Sequence, residues 1–280
     1  MRKANSQRDS FDKGRRVQPT AWLVCLRGSY EEASLGRTSR RGCVSSACRL
    51  HDTRNLIRQI RNQVLIASVG DAMKHAIVFG YGPGTGAALT AKLTAAGYTV
   101  TAISRSEPAD LPSGATWLGA DVRRPVEVHM AVDAAISEHG APLKVFFNPV
   151  AVRQARGLDI DAGDIMDDLA TSVAGAVNVI QAVVPQMRNI PETSIVFTGG
   201  ILSDNPHPMF TSVGVSKAAL KNLVLAFAKE LKATGIDIQL ITVGGFIKPG
   251  TLLSPDAVAG RLFDAAHTKS QQPETLFDGH

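Results

Sequence analysis

The sequence predicts an α/β domain with a doubly wound, mainly parallel sheet and helices on both faces. Three observations carry this expectation. Short aliphatic runs alternate with longer stretches of helical period from Lys74 onward, and a glycine cluster joins the first run to the first helix. All three cysteines (Cys25, Cys43, Cys48) precede that region, so its fold must rest on an apolar core rather than on crosslinks.

The elements follow in order. His75–Phe79 reads as the first strand, and the amphipathic pattern Ala87, Ala88, Leu89, Ala91, Leu93, Ala95, Ala96 as a helix over Gly84–Ala96. Thr99–Ser104 and Thr116–Ala120 are the second and third strands, and Pro125–His139 is a helix opened by a proline. Leu143–Phe147 is the fourth strand. A long helix over Ala162–Gln186 leads to the strand Ser194–Thr198, and a second long helix over Thr211–Thr234 leads to Asp237–Val243. Six strands alternating with helices imply parallel pairing, with chemistry at the carboxyl ends of the strands. The tail after Thr251 is short, so a pocket there is either open or capped by Pro255–His267.

Composition bounds the function. The 280 residues are 44% hydrophobic and 20% charged, which fits one α/β domain plus an appendage and excludes wholesale disorder or a collagen-like chain. The charge is divided unevenly. Residues 1–72 hold fourteen Lys/Arg against six acids, a net +8, while the chain as a whole is +5, so residues 73–280 carry −3. The basic balance therefore belongs to the leader and does not mark the body as a nucleic-acid surface. The leader itself admits three readings: a misassigned start before Met73, a disordered or organelle-targeting extension, or a nucleic-acid-binding tail. A short helix is expected within it at Asn55–Ile66. A cytoplasmic location is expected, organellar if residues 1–72 are a transit peptide. No membrane span is expected, because the best apolar run, Val173–Val184, is a dozen residues interrupted by Asn178 and Gln181.

The sharpest motif is Gly80-Tyr81-Gly82-Pro83-Gly84-Thr85-Gly86. Glycines allow a tight turn and close approach of backbone to a pyrophosphate, and the following helix start offers free N–H groups. A dinucleotide site follows from that context of strand, turn and helix. At the tip of the second strand stand Ser104 and Arg105 with no carboxylate, which favours NADP over NAD, with Glu107 two residues on as the contrary sign. Tyr81 reads as a lid on the phosphate side. No metal ligands are expected.

Residues Lys74 to about Thr251 resemble the short-chain dehydrogenase/reductase family. The resemblance rests on Gly80, Gly84 and Gly86, on Asp121-Val122, on Asn148 followed by Pro149-Val150, on Pro185-Gln186-Met187, and on Ser216-Lys217-Ala218-Ala219-Leu220. It implies a single Rossmann-type domain, adenine contact at Asp121 and Val122, nicotinamide contact from backbone at Phe246 and Ile247, and Lys217 at the reaction centre. It also implies a small-molecule substrate, an oxidoreductase and a homodimer or homotetramer made through the two long helices.

The remaining family positions differ. The phenol expected four residues before Lys217 is Val213, the serine thirteen residues earlier is Gly200, and the asparagine of the fourth helix is Ser172. A variant spacing, seven before the lysine, meets Phe210. With tyrosines only at 30, 81 and 98, no change of register supplies a phenol. His207, in a loop expected to border the nicotinamide pocket, is the candidate proton donor, against the plainer reading of a surface histidine. Two functions stay open: an NADP-dependent oxidoreductase for a carbonyl/alcohol, imine or alkene with a non-standard proton donor, and a noncatalytic NADP-binding sensor or scaffold subunit.

Overall fold

The computed structural model describes residues 74–280; the leader, with its expected helix at Asn55–Ile66, lies outside the described residues. Seven strands form one sheet: β1 (Lys74–Phe79), β2 (Tyr98–Ser104), β3 (Ala115–Gly119), β4 (Lys144–Phe147), β5 (Ser194–Gly200), β6 (Asp237–Val243) and β7 (Glu274–Phe277). Their order is β3-β2-β1-β4-β5-β6-β7 and every pairing is parallel. The strand order reverses between β1 and β4, which opens a crevice at their carboxyl ends.

The helices are α1 (Thr85–Ala95), α2 (Pro125–His139), α3 (Ala162–Leu169), α4 (Gly175–Met187), α5 (Thr211–Glu230) and α6 (Pro255–His267). Successive β1 residues show why both faces must be covered. Ile77 and Phe79 pack with α2, α4 and α5 through Val128, Val132, Val179, Val183, Leu220 and Val224. Ala76 and Val78 point the other way and pack with Leu89 and Leu93 of α1 and Val258 and Leu262 of α6. Each fully buried side chain of this size contributes ~1.5–3 kcal/mol relative to exposure.

Three expectations need correction. A seventh strand, β7, was not expected, because ETLF is short and carries little period of its own; it forms because β6 would otherwise leave an open edge. Pro255–His267 packs mainly on the sheet, where Val258, Ala259, Leu262, Ala265 and Ala266 bury its apolar face, and only its first residues, Pro255 and Asp256, border a cleft. The long helix expected over Ala162–Gln186 is interrupted by a π-helical turn, Ala170–Ala174, between α3 and α4. Smaller shifts of one or two residues affect most strand ends, and β5 runs on through Gly199 and Gly200.

By length and composition the helix Ala162–Met187 could cross a membrane, yet half of its most apolar window is buried inside this domain. It is a core helix here. Among the described residues no three His, Cys, Asp or Glu side chains converge as metal ligands would.

Candidate active site

The glycine turn between β1 and α1 is shaped by two kinds of demand. Gly80 has φ +80°, and a Cβ there would lie 2.5 Å from the Pro149 nitrogen, so no other residue fits between the ends of β1 and β4. Its N–H donates to the Ile103 carbonyl at 2.9 Å, and Asn148 Nδ2 donates to its carbonyl at 3.4 Å. By contrast nothing lies within 4 Å of where a Cβ at Gly82 or Gly84 would project. The start of α1 has no side-chain cap and no acid in its first turn. Open space over two glycines beside uncapped N–H groups fits a phosphate group. Tyr81 closes one side by donating its hydroxyl to the Asp110 carbonyl at 2.9 Å. Next to the turn is a cleft of about 630 Å³ bordered by Tyr81, Gly84, Asp110, Pro249 and Asp256.

At the tip of β2 the two candidate residues behave differently. Ser104 Oγ accepts from Trp117 Nε1 at 3.0 Å and spends its own hydrogen on the Ser106 carbonyl at 2.8 Å, so it orders the loop rather than offering a donor. Arg105 is exposed and, among the described residues, has no carboxylate within ion-pair distance. Asp121 is occupied by Arg123, whose Nη2 lies 2.6 Å from Oδ2, and that hydrogen bond holds the Asp121 carboxyl below the usual carboxylate range. Its backbone N–H donates to Glu127 Oε2 at 2.9 Å. Val122 is buried against Gly175: a Cβ at 175 would come within 2.8 Å of Val122 Cγ2, so α4 can approach only as glycine.

Across the crevice, Lys217 is buried in α5 and its ammonium donates to the Thr198 carbonyl at 2.7 Å. Burial pulls it down to about 8. Its stem runs past Gly200, at 3.8 Å from where a Cβ would stand, and Val213 lies buried one turn earlier. Ser172 sits in the π turn, fully buried, with no partner for its hydroxyl. His207 is exposed, and its Nδ1 accepts from the Met209 N–H at 3.2 Å, which leaves the proton of the neutral ring on Nε2. The His207 ring is 5.5 Å from Phe210, which is 5.0 Å from Phe246. Phe246 and Ile247 are 63% and 40% exposed, so this edge of the crevice has an apolar rim. A backbone bond from Ala155 N–H to the Met209 carbonyl at 3.1 Å ties the loop after β4 to the entry of α5.

Sequence reasoning missed two residues that the fold brings together here, Asp168 and Arg153. Asp168 of α3 is 1% exposed, and the Ser212 hydroxyl of α5 donates to its Oδ2. Arg153, from the loop after β4, places Nη1 at 2.9 Å from Asp164 and Nη2 at 3.5 Å from Asp168. The one signal in the sequence was an acid on the inward face of an amphipathic helix; its partners lie 15 and 44 positions away.

A parallel sheet of this order, with a glycine turn at the crevice and a buried lysine facing it, defines a Rossmann-type enzyme fold. Residues 74–251 match the short chain dehydrogenase family, and the chain belongs to it. It is an oxidoreductase of that type. Among curated proteins it is similar to 2,3-dihydro-2,3-dihydroxybenzoate dehydrogenase of Escherichia coli K12, with 26% identity over 172 residues, 61% of this chain and 68% of the relative. Among solved structures, NADH-dependent reductase A1-R′ complexed with NAD superposes with TM-score 0.66 and 16% identity, covering 74% of this chain and 95% of that one. A short chain dehydrogenase from Burkholderia cenocepacia J2315 in complex with NADP gives 0.67 and 22%, covering 75% and 98%.

Proposed function

We propose that the chain is an NADP-dependent oxidoreductase for a small carbonyl/alcohol pair, or an imine or alkene, that works without the family's phenol. The observation that carries the cofactor preference is Arg105: an exposed guanidinium at the end of β2 with no carboxylate in ion-pair distance among the described residues, where a carboxylate would instead select a free ribose hydroxyl. When bound, the dinucleotide supplies or accepts a hydride at its nicotinamide ring. The backbone of Gly80, Gly82, Gly84 and Gly86 with the start of α1 would hold the pyrophosphate, and Arg105, on a loop ordered by Ser104, the 2′-phosphate. Tyr81 would close over the phosphates. Asp121 and Val122 would line the adenine, Asn148 would hold the turn, and backbone at Phe246 and Ile247 would meet the nicotinamide amide.

On the substrate side Lys217, anchored on the Thr198 carbonyl, would hold a positive charge towards the nicotinamide ribose and the reacting oxygen. A carbonyl oxygen that gains a hydride on its carbon must also gain a proton. With valine at 213 and glycine at 200, the groups able to exchange one are His207 from the solvent rim and Ser172 from the buried side. A homodimer or homotetramer made through the long helices is part of this reading; the exposure of Val215 and Met166 on those helices, 42% and 64%, fits it. A sensor or scaffold role is not carried further, since family membership and the dehydrogenase relative favour an enzyme.

Titration of intrinsic fluorescence with NADPH and NADH, on the natural chain and on Arg105→Glu, tests this reading. The substitution is expected to weaken NADPH by about 10²-fold and NADH by less than about threefold. Equal losses for both would mean that Arg105 does not read the 2′-phosphate.

A further inference from the structure

The segment after β4 runs between two anchors on opposite sides of the crevice. At its start the Asn148 N–H donates to the Phe79 carbonyl at 3.0 Å, and Pro149 abuts the Gly80 turn. At its far end it lies along the entry of α5: Ala155 pairs with Phe210 as a parallel bridge, and a Cβ at Gly157 would stand 3.1 Å from Thr211 Oγ1. Between the anchors Val150 and Val152 are exposed, so the larger apolar side chains do not hold this stretch in place. Arg153, between them and the bridge, does so by charge.

Its guanidinium reaches two carboxylates one helical turn apart on α3, with Nη1 2.9 Å from Asp164 Oδ1 and Nη2 3.5 Å from Asp168 Oδ1. The two pairs are unequal. The Asp164 side chain is 38% exposed and screened by solvent, whereas that of Asp168 is 1% exposed. A carboxylate so deeply buried persists only when it is paired and hydrogen-bonded, and Asp168 takes both partners from outside its own helix. One is Arg153; the other is the Ser212 hydroxyl, which donates to Oδ2 from the first turn of α5. Asp168 Oδ1 and Arg153 Nε have no hydrogen-bond partner of their own, so each depends on the charge of the other. One buried carboxylate thus joins the loop after β4, α3 and the start of α5. Hydrogen bonds and a planar guanidinium fix direction as apolar contact does not. What they fix matters for the site: Phe210, two residues before Ser212, lies 5.5 Å from the His207 ring and 5.0 Å from that of Phe246, and Lys217 follows on the same helix.

We propose that Arg153, Asp168 and Ser212 form a clamp that holds residues 148–157 across the crevice, and that Asp168 is a positioning residue for the substrate half of the site. The clamp stands on the contacts above; its service to turnover rests on the oxidoreductase reading. Asp168 is assigned no contact with the substrate, the dinucleotide or the reacting atoms. It acts through Arg153 on the loop and through Ser212 on the entry of α5, and so sets the distance between the two walls that a substrate must fit. The phosphate end of the dinucleotide is held by the backbone of the β1–α1 turn, so loss of the clamp falls on the substrate and spares dinucleotide affinity.

Limited trypsin digestion of the full chain, followed by mass spectrometry, tests the clamp without any substrate. Arg156 is exposed just beyond the Ala155 bridge, and Lys232, exposed past the far end of α5, serves as the reference site. Asp168→Asn and Arg153→Met are expected to be cut after Arg156 about tenfold faster than the natural chain, with cleavage after Lys232 unchanged. Equal rates at Arg156, or the same acceleration at Lys232, overturn the clamp. Should both charge variants fail to fold, Ser212→Ala decides, since it deletes one hydroxyl and keeps the ion pair: cleavage after Arg156 about threefold faster supports the clamp and an unchanged rate overturns it. Kinetics then test the positioning role, with NADP(H) and the substrate that the natural chain turns over best in a panel of carbonyls and alcohols. For Asp168→Asn and Arg153→Met, kcat/KM is expected to fall about 10²-fold, with KM carrying at least about tenfold of the loss and the dinucleotide Kd within about threefold. Arg153→Lys should recover part of it. A substrate KM that does not move, or a dinucleotide Kd that weakens as much as KM, overturns the positioning role. A natural chain that binds neither dinucleotide defeats the oxidoreductase reading and the positioning role with it, while the cleavage pattern still decides the clamp.

Discussion

The half of the crevice built from β1, α1 and β2 and the half built from β5 and α5 do their work by different means. In the first, backbone does almost everything: a positive-φ glycine wedged against Pro149, open space over Gly82 and Gly84, and an uncapped helix start. In the second, side chains from distant parts of the chain come together. Lys217 is held by the carbonyl of β5, and Asp168 is held between the loop after β4 and the start of α5. A backbone device needs a few glycines in fixed order, so it tolerates little change. A side-chain device can change residue by residue, and here valine stands at 213 and glycine at 200 beside the lysine.

The comparison can be broken at its first half most severely. Gly80→Val puts a side chain 2.5 Å from the Pro149 nitrogen at φ +80°, and is expected to cost at least about 3 kcal/mol and to abolish dinucleotide binding, read by thermal unfolding and titration. A stable, binding-competent variant would show that the turn is not held as described.

Lys217→Met divides function from stability. Turnover should fall at least about 10²-fold. The unliganded fold should nevertheless gain on the order of 1–3 kcal/mol at pH 7, because burial lowers this lysine from 10.5 to about 8. Between those values the unfolded chain binds a proton that the folded chain has released, so wild-type stability rises with pH across the window and the full penalty is present below pH 8. The variant should lose that slope in denaturant melts between pH 7.5 and 10; a retained slope would mean the buried lysine is not its source.

The smallest effect is expected at the rim. His207 is exposed and its Nδ1 is already engaged, so His207→Ala should change kcat by less than about threefold if the proton comes from elsewhere. A loss of 10²-fold or more would make His207 the donor and return the second half of the crevice to a surface acid.

The same division explains what was legible in the sequence. Strand and helix positions follow from local period, and β6 and α2 fall at their expected ends because Asp237 and Pro125 punctuate them. The glycine turn was readable because its demands are local. β7 was not, since four residues of weak pattern become a strand only through pairing with β6. The sequence places Ser104 at the tip of β2, and only the fold reveals that Trp117 and Ser106 already occupy its hydroxyl. The Arg153–Asp168–Ser212 cluster depends on contacts across 15 and 44 positions, which no spacing rule encodes.

Calorimetric titration of the natural chain with NADPH and NADH tests the central claim most directly, that the glycine turn and Arg105 together hold a 2′-phosphorylated dinucleotide. Saturable binding of NADPH at least about tenfold tighter than NADH, a difference of about 1.4 kcal/mol, is the expected result. Heat signals no larger than dilution for both dinucleotides would contradict it.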